Sequence, residues 1–74
     1  MGISYEPLWH LLIKKKLIKT DLVRIANLSP NTVAKLSKNQ YIDVRTLERI
    51  CATFQCQPGD VLEYIPDSEE EKNG

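Results

Sequence analysis

The stretch that most limits the fold is residues 19–38, "KTDLVRIANLSPNTVAKLSK". Two apolar patterns of helical spacing meet here across a break that leaves room only for a tight turn. Leu22, Ile25 and Ala26 form one stripe with Val23 adjoining, and Val33 and Leu36 form the other. Between them stands Asn27, a residue that tolerates positive φ, followed by Leu28 and the pair Ser29-Pro30. Ser29 suits an N-cap and Pro30 a first helical position, so helices are predicted over about 19–26 and over 30–37. Ala26 is small enough for close approach, and Leu28 adds to the apolar set that lets the two helices pack across each other. The second helix leaves Asn31, Thr32 and Lys35 pointing outward.

Three more helical segments flank this pair, and no strand is legible. Residues 5–15 carry Leu8, Leu11 and Leu12 on one face, with Trp9 and Ile13 as a second stripe beside it. Pro7 is tolerable in the first turn, and Lys14, Lys15 and Lys16 suit the negative end of the helix dipole. Asn39 is the expected positive-φ stop of the 30–37 helix. Asp43 then caps a helix with Val44, Leu47, Ile50, Cys51 and Phe54 on its apolar face and Arg45, Glu48 and Arg49 on its wet side. "QPGD" opens a fifth helix, with Gln57 as cap, Pro58 first, Asp60 in the first turn, and Val61, Leu62 and Ile65 as the apolar face before Pro66. The expectation is an all-α domain of five short helices over residues 5–66.

A chain of 74 residues supports one domain and a modest core. Its zero net charge hides a segregation: residues 67–74, "DSEEEKNG", carry −3, which leaves +3 on residues 1–66. The acidic stretch reads as a solvated, disordered tail. The longest apolar run, Leu11, Leu12 and Ile13, excludes a membrane span. No secretory signal is legible, and Glu6 breaks the myristoylation pattern that Met1-Gly2 begins. Cys51 and Cys56 with His10 do not make a zinc set, and they read as thiols in a reducing cytoplasm. His10 has no legible nucleophile and acid beside it, and the glycines Gly2, Gly59 and Gly74 are isolated, so no phosphate loop exists. These features argue against an enzyme and against a metal or cofactor.

The pattern over 19–38 is that of a helix-turn-helix, whose second helix lies in the DNA major groove with its N-terminal half against base edges. Residues 8–65 resemble the lambda-repressor-like fold of the Cro/CI-type helix-turn-helix regulators, the XRE family, and within it the small stand-alone bacterial and phage members. The resemblance rests on the helix-turn-helix, on Leu47, Ile50 and Cys51 in a Leu-x-x-Ile-Cys pattern, and on "CQPGDVLEYIPD".

The resemblance implies roles residue by residue. Pro30, Asn31, Thr32 and Lys35 match the base-reading positions. Asn31 can offer a bidentate amide to adenine and Lys35 can donate to guanine, while Pro30 offers apolar contact such as a thymine methyl. Lys19 matches a position that meets phosphate or the edge of the site, and Ser29 caps the helix within reach of phosphate. Lys38, Asn39 and Gln40 match a loop whose backbone amides and side chains grip the sugar-phosphate chain. Two departures stand out: Val23 replaces a usual alanine, and Leu12 and Ser37 occupy positions where many relatives hold an Arg–Glu ion pair. The resemblance implies a cytoplasmic regulator that binds double-stranded DNA sequence-specifically, acts as a repressor, and needs no cofactor. Because one module buries limited surface, a pair on a palindromic site is expected, with the fifth helix and the Trp9–Ile13 face of the first as the candidate homodimer surface. The competing reading is a protein-interaction module of the same fold, an antitoxin, anti-repressor or adaptor, with weak or no DNA binding. On residues alone, the lysine run 14–16, Arg45 and Arg49 read as solvated, Trp9 as core, and Tyr5, Tyr41 and Tyr64 carry no sharp signal.

Overall fold

The computed structural model describes residues 2–66. The expected acidic tail at 67–74 lies outside the described residues. The chain runs through β1 (Gly2–Ser4), α1 (Glu6–Lys14), α2 (Asp21–Ile25), α3 (Pro30–Ser37), α4 (Val44–Phe54), a 3-10 turn (Pro58–Asp60) and β2 (Glu63–Ile65). Four α-helices and a two-stranded sheet therefore replace the expected five helices. None of the described helices is long and apolar enough to cross a membrane.

The helix starts are set by local side-chain bonds. Ser29 Oγ accepts from the Thr32 amide at 3.1 Å and Asp43 Oδ1 from the Thr46 amide at 2.8 Å, whereas at α1 the capping residue Tyr5 makes no side-chain cap bond and Ser4, one residue earlier, accepts from the Glu6 amide at 3.2 Å. α2 has no such cap on Thr20; Asp21 instead accepts from the Ile18 amide at 2.9 Å and pairs with Arg24 at 2.7 Å. These two donors hold the Asp21 carboxyl below its ordinary range.

The helix ends share one device. Lys16, Asn27, Asn39 and Gln55 all take left-handed backbone, with φ of 60°, 57°, 56° and 52°. The residue after each donates its amide back across the last turn: Leu17 to Leu12, Leu28 to Leu22, Gln40 to Lys35, and Cys56 to Cys51, at 2.8–3.3 Å. Those after Lys16, Asn39 and Gln55 are the six-to-one bonds of a Schellman stop, the one after Asn27 reaches one residue further back, and at every stop a non-glycine residue bears the strained φ.

The core gathers Tyr5, Leu8, Leu12, Leu22, Ala26, Leu28, Val33, Leu36, Ile50 and Val61, all buried. Leu12, where many relatives place an ion-pair arginine, belongs to this core, and Ser37 stays exposed. Val44 departs from expectation: it is 77% exposed and borders an open cleft with Cys56 and Pro58 instead of the core.

The fifth helix ends almost as it begins. The Gln57 amide donates to Asp60 Oδ2 at 3.0 Å, as a helix opening over Pro58 requires. After one 3-10 turn Val61 drops into the core and Glu63–Ile65 extends to pair antiparallel with Gly2–Ser4, in the register Gly2↔Ile65, Ile3↔Tyr64 and Ser4↔Glu63. A helix of so few residues ahead of Pro66 gains little by itself. The strand gains a ladder with the chain's other end, and Gly2–Ser4 joins the folded unit ahead of the expected start at residue 5.

Candidate nucleic-acid interface

The site is the outer face of α2 and α3. Leu22 and Ala26 from α2, Leu28 from the turn, and Val33 and Leu36 from α3 are buried together, which fixes the two helices against each other. Val23, the departure from alanine, is half-buried and packs against this core. The turn is pinned from behind: Arg49 on α4 reaches across with Nη1 3.3 Å from the carbonyl oxygen of Asn27. Arg49, read as solvated from sequence, thus bridges α4 to the left-handed residue of the turn.

With its apolar side fixed inward, α3 presents Pro30, Asn31 and Lys35 outward, all exposed. Thr32 is half-buried, and its hydroxyl lies 2.9 Å from that of Ser29, so each is engaged with the other. Beyond Lys35 a shallow cleft is lined by Thr32, Lys35, Tyr41, Ile42, Asp43 and Thr46. Hydrogen bonds from Thr46 hold the Asp43 carboxyl below its ordinary range, so a fixed anion lines the same cleft as the Lys35 ammonium. Asp43 was legible as a helix cap but not as a wall of this cleft. Tyr41, 75% exposed, carried no sequence signal at all.

The loop after α3 differs in one respect from what the resemblance implies. The backbone amides of Lys38, Asn39 and Gln40 all donate within the chain, to Ala34 and Lys35, to Leu36, and to Lys35 respectively. What this loop offers a phosphate is therefore its side chains. Lys38 and Gln40 are exposed, and Asn39 keeps its amide NH2, since its Oδ1 accepts from the Tyr5 backbone at 3.2 Å. Tyr5 is itself buried, with its phenol 2.7 Å from the Gln40 carbonyl oxygen, and burial pushes its pKa up.

Lys19 stands at the opposite end of the face. Its Nζ sits 4.3 Å from the centroid of the Trp9 ring, a cation–π contact that holds the ammonium over α1 at the entry to α2. The predicted contact residues are thus carried by three segments: Lys19 just ahead of α2, Ser29, Pro30, Asn31, Thr32 and Lys35 at the cap and along α3, and Lys38, Asn39 and Gln40 directly after it. The remaining titratable residues lie elsewhere. His10 lines an open cleft with Lys14, Lys15, Cys56 and Asp60, and the thiols of Cys51 and Cys56 meet at the stop of α4. Among the described residues no three metal-binding side chains converge.

A family model of the Cro/C1-type HTH DNA-binding domain matches residues 7–67. This chain belongs to that family. A similar curated protein is an uncharacterized HTH-type transcriptional regulator, YozG, of Bacillus subtilis (strain 168), 41% identical over 64 residues that cover 80% of this chain and 73% of the relative. Among solved structures, the chain is similar to the transcriptional regulator VanUg. The TM-score is 0.84 and the identity 36%, with 89% of this chain and 88% of the other covered.

Proposed function

We propose that this chain is a sequence-specific, double-stranded-DNA-binding transcriptional regulator that acts in the cytoplasm as a repressor, without cofactor or catalysis. The observation that carries the reading is the two-sidedness of α3: Val33 and Leu36 are buried while Asn31 and Lys35 are exposed on a helix held at both ends. α3 enters the major groove, where Asn31 pairs with adenine and Lys35 with guanine. Pro30 supplies apolar contact, and Thr32, its hydroxyl engaged with Ser29, supplies its methyl. Lys19, Ser29 and the side chains of Lys38, Asn39 and Gln40 hold phosphates and set the register. The regulatory role is supported by the likeness to two proteins named as transcriptional regulators.

One module covers few base pairs, so two chains bind a palindromic site with half-sites about 34 Å apart. Ile13 and Ile18, 70% and 66% exposed beside Trp9 and Leu17, supply the apolar surface for the pairing. The fifth segment, a turn and a strand, takes no part as a helix.

Selection of bound sites from random duplexes tests the reading. A selected operator is expected to lose binding steeply as salt rises. Asn31→Ala with Lys35→Ala is expected to flatten the base preference, by about 1–3 kcal/mol per lost bidentate contact. Undiminished binding of the selected operator by the double variant refutes the assignment of the reading face.

A further inference from the structure

Tyr5 has 1% of its surface exposed and lies behind the face that meets DNA. It nevertheless holds the far end of α3 by two bonds, from its phenol to the Gln40 carbonyl oxygen at 2.7 Å and from its amide to Asn39 Oδ1 at 3.2 Å. Asn39 is the left-handed stop of α3, and the Gln40 amide donates to the Lys35 carbonyl at 2.9 Å. The chain of bonds thus runs from the backbone of a base-reading lysine, through Gln40, to Tyr5. Tyr5 sits between β1 and α1, adjacent to each, so its anchorage comes from outside the helix-turn-helix.

We propose that Tyr5 is a positioning residue for base readout: it fixes where the C-terminal end of α3, and with it Lys35, stands in the groove. The proposal rests on the DNA-reading function above. Base recognition needs donors and acceptors aligned to within a few tenths of an ångström, because hydrogen bonds weaken steeply off axis. Attraction to phosphate tolerates such displacements. Loosening the anchor is therefore expected to cost discrimination and to spare non-specific binding. A residue that served only the stability of the fold would leave both unchanged wherever the protein is folded.

The test uses the full chain with Tyr5→Phe, which keeps the ring and removes the hydroxyl, and Asn39→Gly, which keeps the left-handed stop and removes the Oδ1 acceptor. Affinity for the selected operator and for a random duplex is measured at a temperature where circular dichroism shows each variant folded. The expected result for Tyr5→Phe is a specific-to-non-specific affinity ratio lowered about five- to tenfold, as for the loss of one hydrogen bond to a shielded carbonyl. Random-duplex affinity and salt slope stay unchanged, and amide hydrogen exchange over residues 38–42 is faster without DNA. Asn39→Gly, which also removes the phosphate-facing amide and so weakens both duplexes, is expected to weaken the operator more, lowering the ratio, and to speed the same exchange; if Tyr5→Phe does not fold, an unchanged ratio in Asn39→Gly overturns the proposal. An unchanged ratio, or equal losses on both duplexes with unchanged exchange, overturns the proposal. A wild-type chain that selects no sequence overturns this proposal together with the function it rests on, whereas selection by wild type and Tyr5→Phe alike overturns this proposal alone.

Discussion

Gln55→Gly is expected to stabilise the domain. Gln55 stops α4 with φ 52° and is exposed at the edge of an open cleft, and no side-chain hydrogen bond of it is seen among the described residues, so the substitution breaks no such bond. An L-residue in left-handed backbone is penalised by about 1–2 kcal/mol through the crowding of its Cβ. Glycine escapes that penalty but loses more freedom on folding, which returns about 0.5–1 kcal/mol. The net gain is about 0.5–1 kcal/mol. For a domain of this size, where 1 kcal/mol moves Tm by about 4–8 °C, the melt should rise by about 2–8 °C. Reversible thermal melts followed by circular dichroism, with urea midpoints at unchanged m, measure it. Gln55→Ala is the control: it keeps the Cβ and should show no gain. A glycine variant that melts at or below the wild type and the alanine variant refutes the strain argument.

Leu36→Ala, at a fully buried position beneath α3, should cost about 2–5 kcal/mol and leave the domain largely unfolded at 37 °C, read as a lost cooperative melt. Acid should destabilise the fold through Asp21 and Asp43, whose folded pKa values lie below the ordinary 3.8. Stability from a depressed carboxyl is complete above the unfolded pKa and is lost as pH falls through the folded one. Tm should therefore hold steady from pH 7 to about 5 and fall below about 4. Asp43→Asn, which keeps a capping oxygen but cannot titrate, should make that acid slope shallower.

What was legible in the sequence follows the range of the forces. Pro30–Ser37 and the Asp43 cap are readable because a serine, a proline or an aspartate acts on amides two or three residues away. The stops at Asn27 and Asn39 are readable because asparagine tolerates left-handed backbone more cheaply than most residues. Lys16 and Gln55 occupy the same conformation with no such chemistry to betray them. The fifth segment misleads because the spacing of Val61, Leu62 and Ile65 fits a helix, and the strand that claims Glu63–Ile65 lies at the other end of the chain. Val44 follows the helical spacing of its neighbours, yet no element among the described residues covers it. In the site, the exposed residues of α3 are evident from its amphipathic pattern. The two groups that brace it, Tyr5 and Arg49, act over thirty-five and twenty-two residues of separation, beyond the reach of any local pattern.

The pairing of Gly2–Ser4 with Glu63–Ile65 also sets the order in which the protein can become complete. On the ribosome β1 emerges ahead of α1 and waits, while α1 to α4 have time to form, until Glu63–Ile65 follows them. At synthesis rates of about 5–20 residues per second, that wait lasts seconds. A nascent chain halted before Val61 lacks a fully buried core residue as well as the closing strand, and its apolar interior stays open to proteases and chaperones. Fragments that contain the whole helix-turn-helix but lack β2 should thus be cleared, and only a chain translated through Ile65 persists as a folded domain.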